Sequence, residues 1–152
     1  MERLSGDIWA FAQALYARPG FADAALHVQD RHGGDVCLLI AMFWHAARGN
    51  CPGPADVATL DLAAAPWREA VIRPLRTARR AMKAVPAAEA LRSQVKGMEL
   101  EAERTLLERL AGVELHGDGT VAIALASYAA RLSAPIDALA ALMPAPAAPN
   151  RG

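Results

Sequence analysis

The feature that most constrains the fold is an uninterrupted apolar run over Val36–Ala47. It reads Val-Cys-Leu-Leu-Ile-Ala-Met-Phe-Trp-His-Ala-Ala. A helix with this sequence is apolar on all sides, which predicts a position at the centre of a helical bundle. The run is too short to cross a bilayer, which requires about 20 apolar residues. Asp35 precedes it and is expected to cap its first turn.

Alanine content and apolar periodicity favour helices along the rest of the chain. The 152 residues include 36 alanines, and alanine has the highest helix propensity. We predict an all-α fold, a single-domain irregular bundle of about six to eight helices around the buried central helix. Residues 1–143 are expected to form this domain. The Ala/Pro-rich residues 144–152 are expected to be disordered, because they have too little to bury.

Two helices are indicated by apolar residues at steps of three and four. The first apolar stripe consists of Trp67, Val71, Leu75, Ala78 and Met82, and the second consists of Leu91, Val95, Met98, Ala102, Leu106 and Leu110. Pro74 falls inside the first pattern, and proline lacks the N–H that a regular helix needs. We therefore expect a bend near Ile72–Arg73.

The helix around Pro74 carries a concentration of positive charge. Residues 67–83 contain six bases and one acid, although the whole chain has 16 of each. At about 100° per residue, the bases fall on one arc that faces away from the apolar stripe, and we expect this arc to be free in water. Guanidinium groups bind phosphate and carboxylate oxygens in a bidentate geometry, so this surface is predicted to dock an acidic protein partner or a phosphate-bearing ligand. We define this basic face as Arg73, Arg76, Arg79, Arg80 and Lys83.

A second group of polar residues is predicted to meet if neighbouring helices pack together. We expect Glu99 to pair with Lys96, and Glu103 with an arginine of the preceding helix. Inside a small bundle such a cluster either hydrogen-bonds internally and fixes the helix register, or lines a pocket where a ligand completes the bonds. The members of this polar cluster are Gln29, Asp30, Asp35, Lys96, Glu99 and Glu103.

An enzymatic alternative uses carboxylates and one imidazole. The segment around Gly33-Gly34 gathers two carboxylates and a histidine, which suits a metal site or an acid/base site. The Glu-x-x-His pattern of helical di-metal sites and the spacings of zinc sites do not occur, so no metal, cofactor or catalytic residue is predicted. The small-molecule or metal-dependent enzyme would use Asp30, His32, Asp35, Glu99 and Glu103.

Charge and cysteine content limit the cellular roles. Because 16 basic and 16 acidic residues cancel, nucleic-acid binding is not favoured, although binding through the basic face stays an alternative. Two cysteines and the lack of an export signal predict a cytoplasmic protein without a membrane span.

Four aromatic residues belong either to the core or to a dimer face, so monomer and homodimer both stay open. They are Trp9, Phe11, Phe43 and Trp44.

Four short motifs carry a family resemblance. They are Tyr16-Ala17-Arg18-Pro19-Gly20, then Gln29-Asp30 followed by Gly33-Gly34-Asp35-Val36, then Pro74-Leu75-Arg76 followed by Arg79-Arg80, and finally Lys96–Glu103. Over roughly residues 5–110 the chain resembles an uncharacterised family of small bacterial helical proteins. The resemblance implies a bacterial cytoplasmic protein and supplies no substrate, cofactor or catalytic residue. The sequence as a whole favours a non-catalytic interaction or adaptor protein.

Overall fold

The computed structural model describes the backbone of residues 3–143 and the side chains from Ile8 onward. The helices are α1 (Arg3–Tyr16), α2 (Phe21–His32), α3 (Val36–Ala47), α4 (Pro54–Trp67), α5 (Arg73–Met82), α6 (Glu89–Ala111), α7 (Val121–Leu132) and α8 (Asp137–Ala140). The all-α prediction is confirmed. The segment 144–152, predicted to be a disordered tail, lies outside the described residues. Within the described part of the chain, no helix is both long enough and apolar enough to span a bilayer.

α3 lies at the centre of the bundle, as its apolar sequence predicts. All residues of Val36–His45 are buried, and α1, α2, α4, α6 and α7 pack against this helix. The Asp35 carboxylate caps the helix by accepting two backbone N–H groups of the first turn, at 2.9 and 3.3 Å. His45 donates from Nε2 to the Leu110 carbonyl at 3.0 Å. The polar groups of this buried helix therefore have partners, which burial requires.

The chain passes Pro74 by changing its helical type. A π-helical turn over Arg68–Ile72 joins α4 to α5. In a regular α-helix, the proline ring would collide with the carbonyl four residues earlier and would leave it without a donor. In the π turn the Arg73 N–H donates to the carbonyl of Arg68, five residues earlier. The predicted bend is therefore a π turn, and the count of 100° per residue does not hold across it.

α5 and the first half of α6 form a hairpin outside the apolar core, joined by a 3₁₀ turn over Pro86–Ala88. α5 has no buried residue, and its predicted apolar stripe is only half-buried. The predicted stripe of α6 is wrong in this half, because Leu91 and Met98 are exposed whereas Glu99 is buried. Apolar spacing shows which residues share a helix face, but not whether another element covers that face. Further along α6 the predicted stripe is buried, at Ala102, Leu106 and Leu110.

The buried carboxylate of Asp56 ties the loop between α6 and α7 to the start of α4. It accepts the backbone N–H groups of Gly53 at 3.2 Å, His116 at 2.9 Å and Gly117 at 3.0 Å. Burial raises the pKa of this carboxyl, but the backbone donors and the nearby His116 ring outweigh burial and hold the pKa below its ordinary value. The ionised form of Asp56 is therefore part of the folded structure.

We expect Asp56→Asn to lower the free energy of unfolding by about 1–3 kcal/mol, because an amide nitrogen cannot accept the backbone N–H groups. The contribution of Asp56 is complete above its pKa in the unfolded chain, and it is lost as the pH falls through the lower folded-state pKa. Urea unfolding at neutral and acidic pH measures both effects. The control is Glu114→Gln, an exposed carboxyl on the same loop. Equal losses in the two variants would contradict the role of Asp56.

Candidate functional site

Two arginines of the basic face lie between α5 and α6. Arg76 donates from Nε to Glu99 Oε1 at 3.1 Å and from Nη2 to Glu103 Oε1 at 3.2 Å. Arg79 donates to the second carboxylate oxygen of Glu99. The two guanidinium side chains are only 17% and 22% exposed. The prediction that the whole basic face stands free in water is therefore wrong for Arg76 and Arg79, because a buried carboxylate of α6 holds both.

The remaining members of the basic face lie on the outer side of α5. Arg80 is 49% exposed and donates to Asp30 at 2.9 Å, which joins α5 to α2. Arg73 is 44% exposed and donates to Glu69 at 2.6 Å. Lys83 is also exposed. The structure thus divides the basic face into an inner pair and an outer set.

The predicted polar cluster forms only in part. Burial raises the pKa of the Glu99 carboxyl, but Arg79 and Arg76 outweigh burial and hold this pKa below its ordinary value. The predicted pairing of Glu103 with an arginine of the preceding helix is confirmed. The predicted pairing of Glu99 with Lys96 is wrong, because Glu99 faces α5 while Lys96 is exposed. Arginines of the neighbouring helix α5, and not residues one turn away on α6, therefore pair with Glu99 and Glu103.

A second ion network runs from the start of α3 to α7 through Arg68. Arg68 donates from Nη1 to Asp35 at 3.1 Å and to Asp61 at 2.9 Å. Asp61 also accepts from Arg131 of α7. Burial lowers the pKa of Arg68, but the two carboxylates outweigh burial and raise it above its ordinary value. The backbone N–H of Asp35 donates to the Tyr128 hydroxyl at 2.7 Å. Hydrogen bonds therefore hold both the backbone and the carboxylate of Asp35 in place.

Both networks contribute side chains to a cleft with a volume of about 350 Å³. Its walls come from α1, the junction of α2 and α3, the start of α3, the π turn with α5, and α6. This volume lies within the range typical of sites for small organic molecules. The charged and amide side chains that line the cleft are those of Gln13, Gln29, Asp35, Arg68, Arg73, Arg76 and Glu103.

Most of the remaining lining is apolar. The π turn supplies Ile72, which is buried, and also contributes the guanidinium group of Arg68. The Trp9 ring of α1 also lines the cleft, and the Arg104 guanidinium lies 5.3 Å from its centroid. The cleft therefore offers charged groups together with a surface suited to the apolar body of a ligand. The apolar lining includes Trp9, Val36, Ile40, Ile72 and Leu107.

Two titratable side chains of the cleft are held in their neutral forms. Burial raises the pKa of Tyr16 to about 12, and the charge of Glu103 adds to the effect. Burial raises the pKa of the Cys37 thiol well above its ordinary value, and this thiol donates to the Glu103 carbonyl at 3.8 Å. A nucleophilic cysteine acts as the thiolate. The chemistry of the cleft therefore favours binding over nucleophilic catalysis.

The residues of the enzymatic alternative do not converge on the cleft. Asp35 and Glu103 line it, whereas Asp30, His32 and Glu99 do not. Within the described residues, no group of three or more His, Cys, Asp or Glu side chains is arranged to hold a metal ion.

The part of the cleft that α1 contributes, including Trp9 and Tyr16, was not predicted from the sequence. No local signal marks these residues, because the position of α1 relative to α6 depends on packing. A sequence signal did exist for the burial of Glu99. It lies three and seven residues before Ala102 and Leu106, and therefore on the helix face that these residues bury.

We expect Arg76→Met to lower the free energy of unfolding by about 3 kcal/mol. The substitution removes one guanidinium partner from the Glu99 carboxylate and the only side-chain donor to the Glu103 carboxylate among the described residues, and a buried carboxylate without its cation is costly. The matched control is Arg80→Met, which breaks the exposed pair with Asp30 on the same helix and should lower it by about 1 kcal/mol or less. Urea unfolding of the two variants measures the difference. A similar loss in both would show that the inner pair does not stabilise the fold.

All residues that line the cleft fall between positions 9 and 107. No curated protein and no solved structure matches the chain. A family model described as Protein of unknown function (DUF2390) matches residues 7–110, a segment that contains the whole cleft. The resemblance to an uncharacterised family is therefore confirmed, and the chain belongs to the family Protein of unknown function (DUF2390).

Proposed function

We propose that the protein binds a small organic anion in the cleft and acts by binding, without catalysis. The observation that carries this proposal is the presence of three guanidinium groups, those of Arg68, Arg73 and Arg76, in a mainly apolar cleft of about 350 Å³. Guanidinium groups form charge-assisted hydrogen bonds with carboxylates and phosphates, and these bonds strengthen where water is excluded. The anionic ligand predicted for the basic face is thus assigned to the cleft.

Each of these arginines keeps donor capacity for a ligand. A guanidinium group carries five N–H donors. Within the described residues, Arg68 uses Nε and Nη1, Arg73 uses Nη1 and Nη2, and Arg76 uses Nε and Nη2. One nitrogen of each guanidinium group therefore has no protein acceptor there.

Arg73 is the best placed of the three to respond to a ligand. Its side chain is 44% exposed, whereas those of Arg68 and Arg76 are 15% and 17% exposed. It donates to the exposed carboxylate of Glu69 and to the Gly33 carbonyl at 3.2 Å. Surface ion pairs of this kind contribute little to stability, so Arg73 is able to exchange an acceptor for a ligand oxygen.

The competing proposals, docking of an acidic protein or of nucleic acid, depend on the outer set of the basic face. The carboxylates of Glu99 and Glu103 already pair with Arg76 and Arg79, which lowers the positive potential of that surface. Arg73 and Arg80 both belong to the outer set, but only Arg73 lines the cleft. A comparison of Arg73 with Arg80 therefore separates these proposals from binding in the cleft.

We also propose that the protein acts in the bacterial cytoplasm. Its two cysteines, Cys37 and Cys51, are free thiols, which suits a reducing compartment. The family resemblance points to the same setting.

We expect Arg73→Gln to weaken the binding of an anionic probe, benzoate or phenyl phosphate, by about tenfold or more, because a charge-assisted hydrogen bond contributes about 1.5–3 kcal/mol. The control is Arg80→Gln, because Arg80 is a similarly exposed arginine of the same helix and does not line the cleft. This variant should bind the probe as the unmodified protein does. Chemical-shift titrations of the backbone amides measure both affinities and locate the probe.

Two outcomes would contradict the proposal. If neither probe shifts the amides of the cleft, the site does not take small organic anions. If Arg80→Gln weakens binding as much as Arg73→Gln does, the anion binds on the outer basic face instead.

A further inference from the structure

The charged groups around the cleft balance when all of them are ionised. Among the residues that the structure describes, the ion pairs of the cleft and of the two networks behind it join five guanidinium groups to five carboxylates. The guanidinium groups belong to Arg68, Arg73, Arg76, Arg79 and Arg131, and the carboxylates belong to Asp35, Asp61, Glu69, Glu99 and Glu103. An anion that enters this neutral set adds a negative charge without a partner, which is unfavourable away from water.

Glu103 is the least compensated of the carboxylates that line the cleft. It accepts one side-chain hydrogen bond, from Arg76 Nη2 at 3.2 Å. Arg76 is shared, because its Nε donates to Glu99 at 3.1 Å. By contrast, the other cleft carboxylate, that of Asp35, accepts two backbone N–H groups and the Arg68 guanidinium.

The titratable and charged groups that act on Glu103 come from α1, the start of α3, α5 and α6 itself. α1 contributes Tyr16, the start of α3 contributes Asp35 and Cys37, α5 contributes Arg76 and Arg79, and α6 itself contributes Glu99. Burial raises the pKa of Glu103, the charges of Glu99 and Asp35 raise it further, and Arg76 only partly offsets them. Tyr16 and Cys37 add no charge, because a phenol and a thiol are protonated at neutral pH and burial raises both pKa values further. Glu103 is therefore the member of this set that accepts a proton most readily.

We infer that the cleft takes an apolar carboxylate with a single negative charge, and that Glu103 takes up one proton from solvent when this ligand binds. This inference rests on the proposed function. A ligand carboxylate and a proton enter together, the Glu103 carboxylate becomes a carboxylic acid, and the net charge of the site does not change. The neutral acid can donate its O–H to the ligand, and Arg76 Nη2 is released to bind the ligand as well.

The same charge balance separates three classes of ligand. A phosphate dianion leaves one negative charge without compensation even after Glu103 is protonated. A neutral amide cannot form the charge-assisted bonds that the arginines offer. We therefore expect benzoate to bind more tightly than phenyl phosphate or benzamide, which share its aromatic ring.

Calorimetric titration with benzoate tests the inference. At a pH above the Glu103 pKa, titrations in two buffers with different enthalpies of protonation give the number of protons taken up. We expect about one proton per benzoate, and an affinity that falls about tenfold for each further pH unit. Glu103→Gln mimics the neutral acid, because its side-chain amide is uncharged and can donate to the ligand. This variant should bind benzoate with no proton uptake and no such pH dependence.

The outcomes distinguish this inference from the proposed function. If benzoate binds the unmodified protein without proton uptake, or if uptake persists in Glu103→Gln, the role of Glu103 is wrong while the cleft stays a site for anions. If phenyl phosphate binds more tightly than benzoate, the assigned ligand class is wrong. If no anionic probe binds at any pH, the proposed function fails together with the inference. Should Glu103→Gln not fold, the proton count of the unmodified protein decides the question by itself.

Discussion

The ion pairs that join Arg76 and Arg79 to Glu99 and Glu103 are the interaction on which the cleft depends. α5 has no buried residue, so apolar burial alone does not fix its position on the bundle. A buried carboxylate is costly unless cations compensate it, and Glu99 is compensated by two guanidinium groups. The geometry of these bonds sets α5 against α6. The same bonds bring Arg76 and Glu103 into the wall of the cleft, so the fold and the site share one set of contacts.

The π turn before Pro74 shapes another wall of the cleft. Without it, the proline would interrupt the rod that runs from α4 into α5. The turn absorbs the proline and contributes both Ile72 and Arg68 to the cleft, one apolar and one charged. Single π turns occur frequently at functional sites, because they place side chains in positions that a regular helix does not reach. Here the turn begins at Arg68, which pairs with Asp35, and precedes Arg76, which pairs with Glu99 and Glu103.

Local patterns predicted the helices well, because a helix and its cap depend on residues within a few positions of one another. The burial of Val36–His45 and the cap at Asp35 follow directly from such patterns. The same patterns failed at Leu91 and Met98, which are exposed. Their spacing defines a helix face, but the neighbour that would cover this face lies elsewhere in the chain. Burial of Glu99 replaced the predicted apolar contact with an ionic one.

The sequence by itself determined the all-helical class, the central position of α3 and the concentration of arginines around Pro74, since each of these is a property of neighbouring residues. Only the tertiary structure decided that Arg76 and Arg79 turn inward while Arg73 and Arg80 stay exposed. It also decided that a cleft exists, because residues as distant in sequence as Trp9 and Leu107 meet there. The physical reason is that partners for a buried charge, and walls for a cavity, come from whichever helices pack together. That packing is set by the whole core and not by any single segment.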